Sequence, residues 1–142
     1  MAADNTIHVD IVSAEGELFS GAAKMVFVPA SQGEMGIAPR HAPLLTMIKS
    51  GEVRVQTPDG QEQFFFVGGG ALEVQPKKVT VLADTALRAK DVDEAAALAA
   101  KQRAEEALKG KIDAIEQAEA LAELARAAAQ LKLLEKLRKI KG

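Results

Sequence analysis

The 142-residue chain contains no cysteine, tryptophan or tyrosine. Lack of cysteine excludes disulfides and thiolate metal sites and suits a reducing compartment. Lack of Trp and Tyr removes the aromatic platform that a sugar-binding module would need. The two histidines, His8 and His41, are far apart, and neither has a partner at metal-ligand spacing. A net charge of −2 gives no reason to expect nucleic acid as a partner. No apolar run approaches membrane-spanning length, and the N-terminus lacks a charged-then-apolar leader. These absences predict a soluble protein that meets a membrane only through a partner.

Other absences are local. All five prolines and all five phenylalanines precede Asp91, whereas residues 91–142 carry 15 alanines and read as helix. The break divides the chain into a β-rich body, residues 1–88, and a helical unit, residues 89–142. The body is near the lower limit for a self-standing core.

In the body, Ile7, Val9 and Ile11 alternate with His8 and Asp10, the period of a half-buried strand. Val53 and Val55, Leu72 and Val74, and Val79 and Val81 repeat the pattern. The unbroken runs Met25–Val28 and Phe64–Val67 predict strands covered on both faces. Turn signals such as Glu15-Gly16, Ser50-Gly51 and Pro58-Asp59-Gly60 separate these segments, which predicts an antiparallel sandwich or barrel. Gly68-Gly69-Gly70 is not a phosphate loop, because no Lys-Ser or Lys-Thr follows and the next segment is a strand. A bulge or tight strand crossing fits better. Residues 33–45 combine two glycines with two prolines and predict a rigid loop. That loop is either a structural corner or a preformed contact surface presenting Glu34, Arg40 and His41.

In the helical unit, Asp91 with Glu94 resembles a capping box. The first helix is expected to run to about Lys109 and stop at Gly110, and the second from about Asp113 to near Ile140. Val92, Ala96, Ala99, Ala100 and Ala107 fall on one face of the first helix, and Leu121, Leu124, Ala128 and Leu131 on one face of the second. Alanine buries little area, at about 25 cal/mol per Å², yet it favours helix strongly. Weak docking of a self-sufficient element describes a movable arm; a permanently packed hairpin is the alternative. Leu133, Leu137 and Ile140 lie roughly opposite the second stripe, which suggests a second binding state or partner for the tail. Asp113, Glu116, Glu119 and Glu123 precede Lys132, Lys136, Arg138, Lys139 and Lys141, a polarity that the helix dipole alone could explain.

Several segments together resemble the ε subunit of bacterial F-type ATP synthases. They are Asp10-Ile11-Val12-Ser13-Ala14-Glu15, Phe19-Ser20-Gly21, the 33–45 loop, Leu72-Glu73-Val74-Gln75-Pro76 and the run from Val79 to Ala86. Ala122-Glu123-Leu124-Ala125 and Ala129-Gln130-Leu131 extend the match into the last helix. The resemblance covers essentially the whole chain in order. It implies a β-sandwich of about ten antiparallel strands followed by an antiparallel α-helical hairpin.

It further implies a non-catalytic rotor subunit, with the sandwich between the γ subunit and the c-ring. The hairpin would fold down or extend into the catalytic head of α and β subunits and impede ATP hydrolysis. By position, Glu34 would face the c-ring and His41 would face γ, with Met35, Gly36, Arg40 and Pro43 sharing that interface. Lys132, Leu133, Lys136, Leu137, Arg138, Lys139 and Ile140 would form the inhibitory contacts, the basic ones against an acidic β-subunit segment. The complex would lie on the cytoplasmic face of a bacterial inner membrane.

Some members of the family bind ATP on the hairpin through an Ile/Leu-Asp-x-x-Arg-Ala motif. Asp93 and Arg103 match family positions, but Ala96 stands where the motif has arginine. Binding is therefore expected to be weak or absent, with no cofactor. Two other readings compete: a free-standing ATP sensor, and a small β-sandwich enzyme or sugar-binding module.

Overall fold

The computed structural model describes residues 5–141, except that the side chain of Lys141, counted above in the basic cluster, lies outside the described part. Alternating apolar residues build eight strands in the first 88 residues. They are β1 (Ile7–Ser13), β2 (Gly16–Ala23), β3 (Met25–Ala30), β4 (Gly33–Ile37), β5 (Leu44–Gln56), β6 (Glu62–Val74), β7 (Lys78–Ala83) and β8 (Ala86–Arg88). A 3-10 turn, Ala89–Asp91, leads to α1 (Glu94–Lys109) and α2 (Ala114–Lys141). Contacts divide the chain into two compact units, Met1–Arg88 and Ala89–Gly142.

The strands pair in the order β2-β1-β7-β6-β5-β3-β4, with β8 on β6. β5 and β6 are 13 residues each and pass through both layers of the sandwich. The first part of β5 and the last part of β6 pair with each other beside β7, whereas their other halves lie beside β3 and β8. Counting each of these two strands twice turns eight into the expected ten. All pairs are antiparallel except β1–β7, which is parallel because the chain crosses through the other layer between them. The inner faces carry Val9, Ile11, Val26, Val28, Val53, Val55, Phe65, Leu72, Val79 and Val81, all essentially inaccessible to water.

The two apolar runs behave differently. Phe65, Phe66 and Val67 are all buried, as expected of a strand covered on both faces, although Phe64 at the start of the run is half-buried. Met25 and Phe27 are only half-buried, so β3 begins with the ordinary alternation of one covered face. The three glycines sit inside β6 and form a tight crossing. Gly70 has φ +139°, and a Cβ there would fall 2.0 Å from the Leu82 carbonyl oxygen, so only glycine lets β6 and β7 pass this closely.

In the helical unit the side chain of Asp93, not Asp91, caps α1 by accepting a hydrogen bond from the Ala96 N–H at 3.1 Å. Asp91 ends the preceding 3-10 turn, two residues too early to cap. Asp113 caps α2 through the Glu116 N–H at 2.8 Å. Gly110 ends α1 in an extended conformation (φ −87°, ψ 176°) rather than a left-handed one.

The buried faces differ from the wheel expectation. Ala97 and Ala104 are buried on α1; of the residues expected there, Val92 is buried just before the helix and Ala100 half-buried, while Ala96, Ala99 and Ala107 are exposed. On α2, Ala120 and Ala127 are buried, Leu124 and Leu131 are half-buried, and Leu121 and Ala128 are exposed. Alanine occupies nearly every side of these helices, so a wheel of small residues has no single preferred direction. Leu133, expected on an open opposite face, is only 2% exposed.

Candidate functional site

The loop singled out in the sequence is half strand. Glu34 and Gly36 lie on the outer side of β4, whereas Met35 turns inward and packs against the core. Met35 therefore supports this surface rather than presenting itself on it. Beyond Ile37 the backbone turns through Arg40, a non-glycine residue at φ +65°. That uncommon conformation is held by hydrogen bonds: the Arg40 N–H donates to the Pro76 carbonyl at 2.8 Å, and the His41 N–H to Ala38 at 3.2 Å. The His41 Nδ1–H points to the Ala42 carbonyl oxygen at 2.8 Å, which fixes the ring and leaves Nε2 as its outward nitrogen. Pro43 is exposed beside it. Glu34 and Gly36 thus lie on the outer side of the edge strand β4, and Arg40, His41 and Pro43 lie in the braced loop that follows it.

Beside Gly36, on the same outer face, lies a stack that the sequence reading missed. Phe27 stands opposite Gly36 on one side and Arg54 on the other. A Cβ on Gly36 would come within 3.1 Å of the Phe27 ring. The Arg54 guanidinium covers that ring 4.1 Å from its centroid and pairs with Glu62 at 3.4 Å. Cation–π contact and ion pairing together brace the edge strand that carries Glu34.

A second missed feature is apolar and open. Leu45, Met47 and Leu82 are 75%, 62% and 51% exposed. Register places Met47 beside Ala71, Ala71 beside Leu82, and Leu82 beside Val12, all on one sheet face. Exposed apolar residues on β5 and β7, with half-buried Ala71 of β6 between them, mark a surface built to be covered. The available signal was Leu44-Leu45-Thr46-Met47-Ile48, apolar at both strand parities, but Leu44 and Leu45 read as the end of a loop.

The same face carries a polar cluster. The Ser20 hydroxyl donates to Asp10 Oδ1 at 2.6 Å, His8 Nε2 lies 2.8 Å from the same oxygen, and Lys78 Nζ lies 3.2 Å from Oδ2. The Ser20 hydrogen bond, with those from His8 and Lys78, lowers the Asp10 pKa to about 2. One imidazole nitrogen faces both Asp10 and Ser20, so this is not a relay in which a base activates the serine.

On the hairpin, Arg138 near the end of α2 forms a salt bridge to Glu94 in the first turn of α1. Closer to the turn, Arg103 lies 3.6 Å from Glu123. Lys139 pairs with Glu135 of its own helix at 3.4 Å. Lys132 is exposed, Lys136 and Leu137 are half-buried, and Ile140 is 58% exposed. Of the two residues matching nucleotide-binding positions, Asp93 is engaged as a helix cap and Arg103 faces a carboxylate. A groove of about 770 Å³ between the helices is lined by Arg103 with Glu106, Glu116, Glu119 and Glu123. Four carboxylates against one guanidinium repel a triphosphate. Among the described residues no group of three or more His, Asp or Glu could hold a metal ion, and no helix is long and apolar enough to cross a membrane.

Comparison with known proteins agrees with this architecture. Residues 6–89 match the family model of the ATP synthase delta/epsilon chain β-sandwich domain, and residues 90–135 that of its long α-helix domain. The ATP synthase epsilon chain of Nitrosococcus oceani is 64% identical over 137 residues, covering 96% of this chain and 98% of its own length. That of Halorhodospira halophila is 60% identical, covering 95% and 96%. A chain from the Euglena gracilis mitochondrial ATP synthase, in a structure of OSCP, F1 and c-ring, superposes with a TM-score of 0.81 at 16% identity, covering 92% of this chain and 82% of that one. Matched in both its sandwich and its helices, the chain belongs to the ATP synthase epsilon chain family.

Proposed function

We propose that this non-catalytic chain is a central-stalk subunit of a proton-translocating F-type ATP synthase, and that its hairpin restrains ATP hydrolysis. The observation that carries this reading is the 64% identity to an epsilon chain over 96% of the sequence, with both structural units in the same order. The sandwich binds the γ subunit and the c-ring and turns with them. The segment from Glu34 to Pro43 meets polar loops of the ring and γ, and the Leu45–Met47–Leu82 face docks against the shaft. Hydrogen bonds from the Arg40 and His41 N–H groups and the Phe27–Arg54 stack supply the stiffness that torque transfer requires. Proton flow through the ring then reaches the catalytic head as rotation, with the chain making and breaking no bonds itself. The chain is a peripheral component on the cytoplasmic face of the bacterial inner membrane.

The hairpin is the regulatory part. Its buried faces are mostly alanine, so separating its helices exposes little apolar area, and each helix has its own carboxylate cap. Extended toward the α and β subunits, it would present Lys132, Arg138, Lys139 and Ile140 to an acidic surface, with Leu133, Lys136 and Leu137 joining them on release. ATP plays no part in holding it closed, since Asp93 and Arg103 are engaged within the hairpin.

The test is crosslinking inside the intact enzyme. Glu34→Cys is expected to crosslink to a c subunit under all nucleotide conditions, and Ile140→Cys to an α or β subunit only when hydrolysis is inhibited. Failure of the chain to co-purify with γ and c subunits, or a Glu34→Cys crosslink to neither, would overturn the assignment.

A further inference from the structure

In the folded hairpin, the Arg138–Glu94 salt bridge joins residues 44 positions apart, linking the first turn of α1 to the last turns of α2. It differs in kind from the neighbouring Lys139–Glu135 pair, which lies within one helix at i,i+4 and survives as long as α2 stays helical. The Arg138 pair exists only while the two helices lie side by side. Arg138 is also one of the cations assigned above to an acidic surface on the catalytic head. A guanidinium engages a carboxylate best in one planar fork, so Glu94 and a carboxylate of the head compete for the same group.

We propose that Glu94 is an internal decoy for Arg138: it holds the guanidinium while the hairpin is folded, and must release it before the tail can engage the catalytic head. This rests on the regulatory reading of the hairpin. Both side chains are more than half exposed, so the pair biases opening rather than locking it. Exposed pairs of this kind shift an equilibrium by roughly two- to five-fold, the range suited to a device that must still open. The Arg103–Glu123 pair supports the closed form from the other end, but Arg103 is not among the residues offered to the head.

The test separates the decoy from an ordinary structural pair by the sign of its effect. Glu94→Gln and Arg138→Gln are introduced separately into the assembled enzyme, and ATP hydrolysis is compared with wild type and with an enzyme truncated after Arg88. The decoy predicts opposite outcomes. Glu94→Gln deepens inhibition, lowering hydrolysis about two- to five-fold, because Arg138 is released. Arg138→Gln raises hydrolysis toward the truncated level, because the contact with the head is lost. In the isolated full chain, both variants are expected to speed amide exchange across α1 alike. Two variants that both raise hydrolysis, or a Glu94→Gln enzyme equal to wild type beside an activated truncation, would overturn the decoy and leave the regulatory reading standing. A truncation with no effect on hydrolysis would overturn both.

Discussion

Asp10 and Gly70 show how much can depend on single side chains in a small sandwich. Asp10 accepts hydrogen bonds from Ser20 and His8 and faces Lys78, so its charged form is favoured on folding. Its pKa is lowered from 3.8 to about 2, and the stabilisation is therefore present above pH about 4 and lost as pH falls toward 2. Asp10→Asn is expected to cost on the order of 1 kcal/mol at pH 7 and to flatten the acid limb of stability between those values. Urea melts at stepped pH would check both. Gly70 and Gly16 form a second contrast, since both have positive φ but only Gly70 lies against neighbouring backbone. Gly70→Ala should cost more than about 4 kcal/mol or abolish folding, whereas Gly16→Ala should cost only about 1 kcal/mol. Equal losses in denaturant unfolding would refute the crossing argument. Of these residues, the Gly68–Gly70 run was legible in the sequence as a bulge or a crossing. Asp10 was not, because two of its three partners, Ser20 and Lys78, come from β2 and β7.

Elements were legible where side-chain size alternates and obscure where it does not. The valine and isoleucine strands fell where period two placed them, and α1 ended at Lys109, followed by Gly110, as expected. The helix faces did not follow the wheel. With alanine on almost every side, packing direction depends on contacts that no single window contains. β5 was seen only in its second half, because the Gly- and Pro-rich stretch before it masked its start at Leu44. That lapse hid the apolar Leu45–Met47–Leu82 face, the largest gap in the reading of the candidate site. Leu45→Ser with Met47→Ser is expected to leave the isolated chain within about 0.5 kcal/mol of wild-type stability. The same pair should lower its retention on the γ subunit at least ten-fold by pull-down. An unchanged pull-down would remove this face from the docking account.

At the scale of the molecule, the two units have different physical characters. The first is cross-braced: two strands pass through both layers, a loop is fastened by Arg40, and an edge strand is backed by Phe27 and Arg54. The second relies on self-sufficient helices joined by small apolar contacts and exposed ion pairs. Ion pairs of that exposure weaken with salt. Raising ionic strength from about 50 to 500 mM is therefore expected to speed amide exchange in α1 and α2 while leaving the β-strand amides nearly unchanged. Uniform protection in both units at both salt concentrations would contradict this division.

The most direct test of that division is ATP hydrolysis by the enzyme assembled with the chain ending at Arg88, compared with the enzyme carrying the full chain. The account predicts that the shortened chain still co-purifies in full amount, that ATP synthesis stays coupled, and that hydrolysis rises several-fold. Loss of the shortened chain from the complex, or hydrolysis equal to that with the full chain, would contradict it.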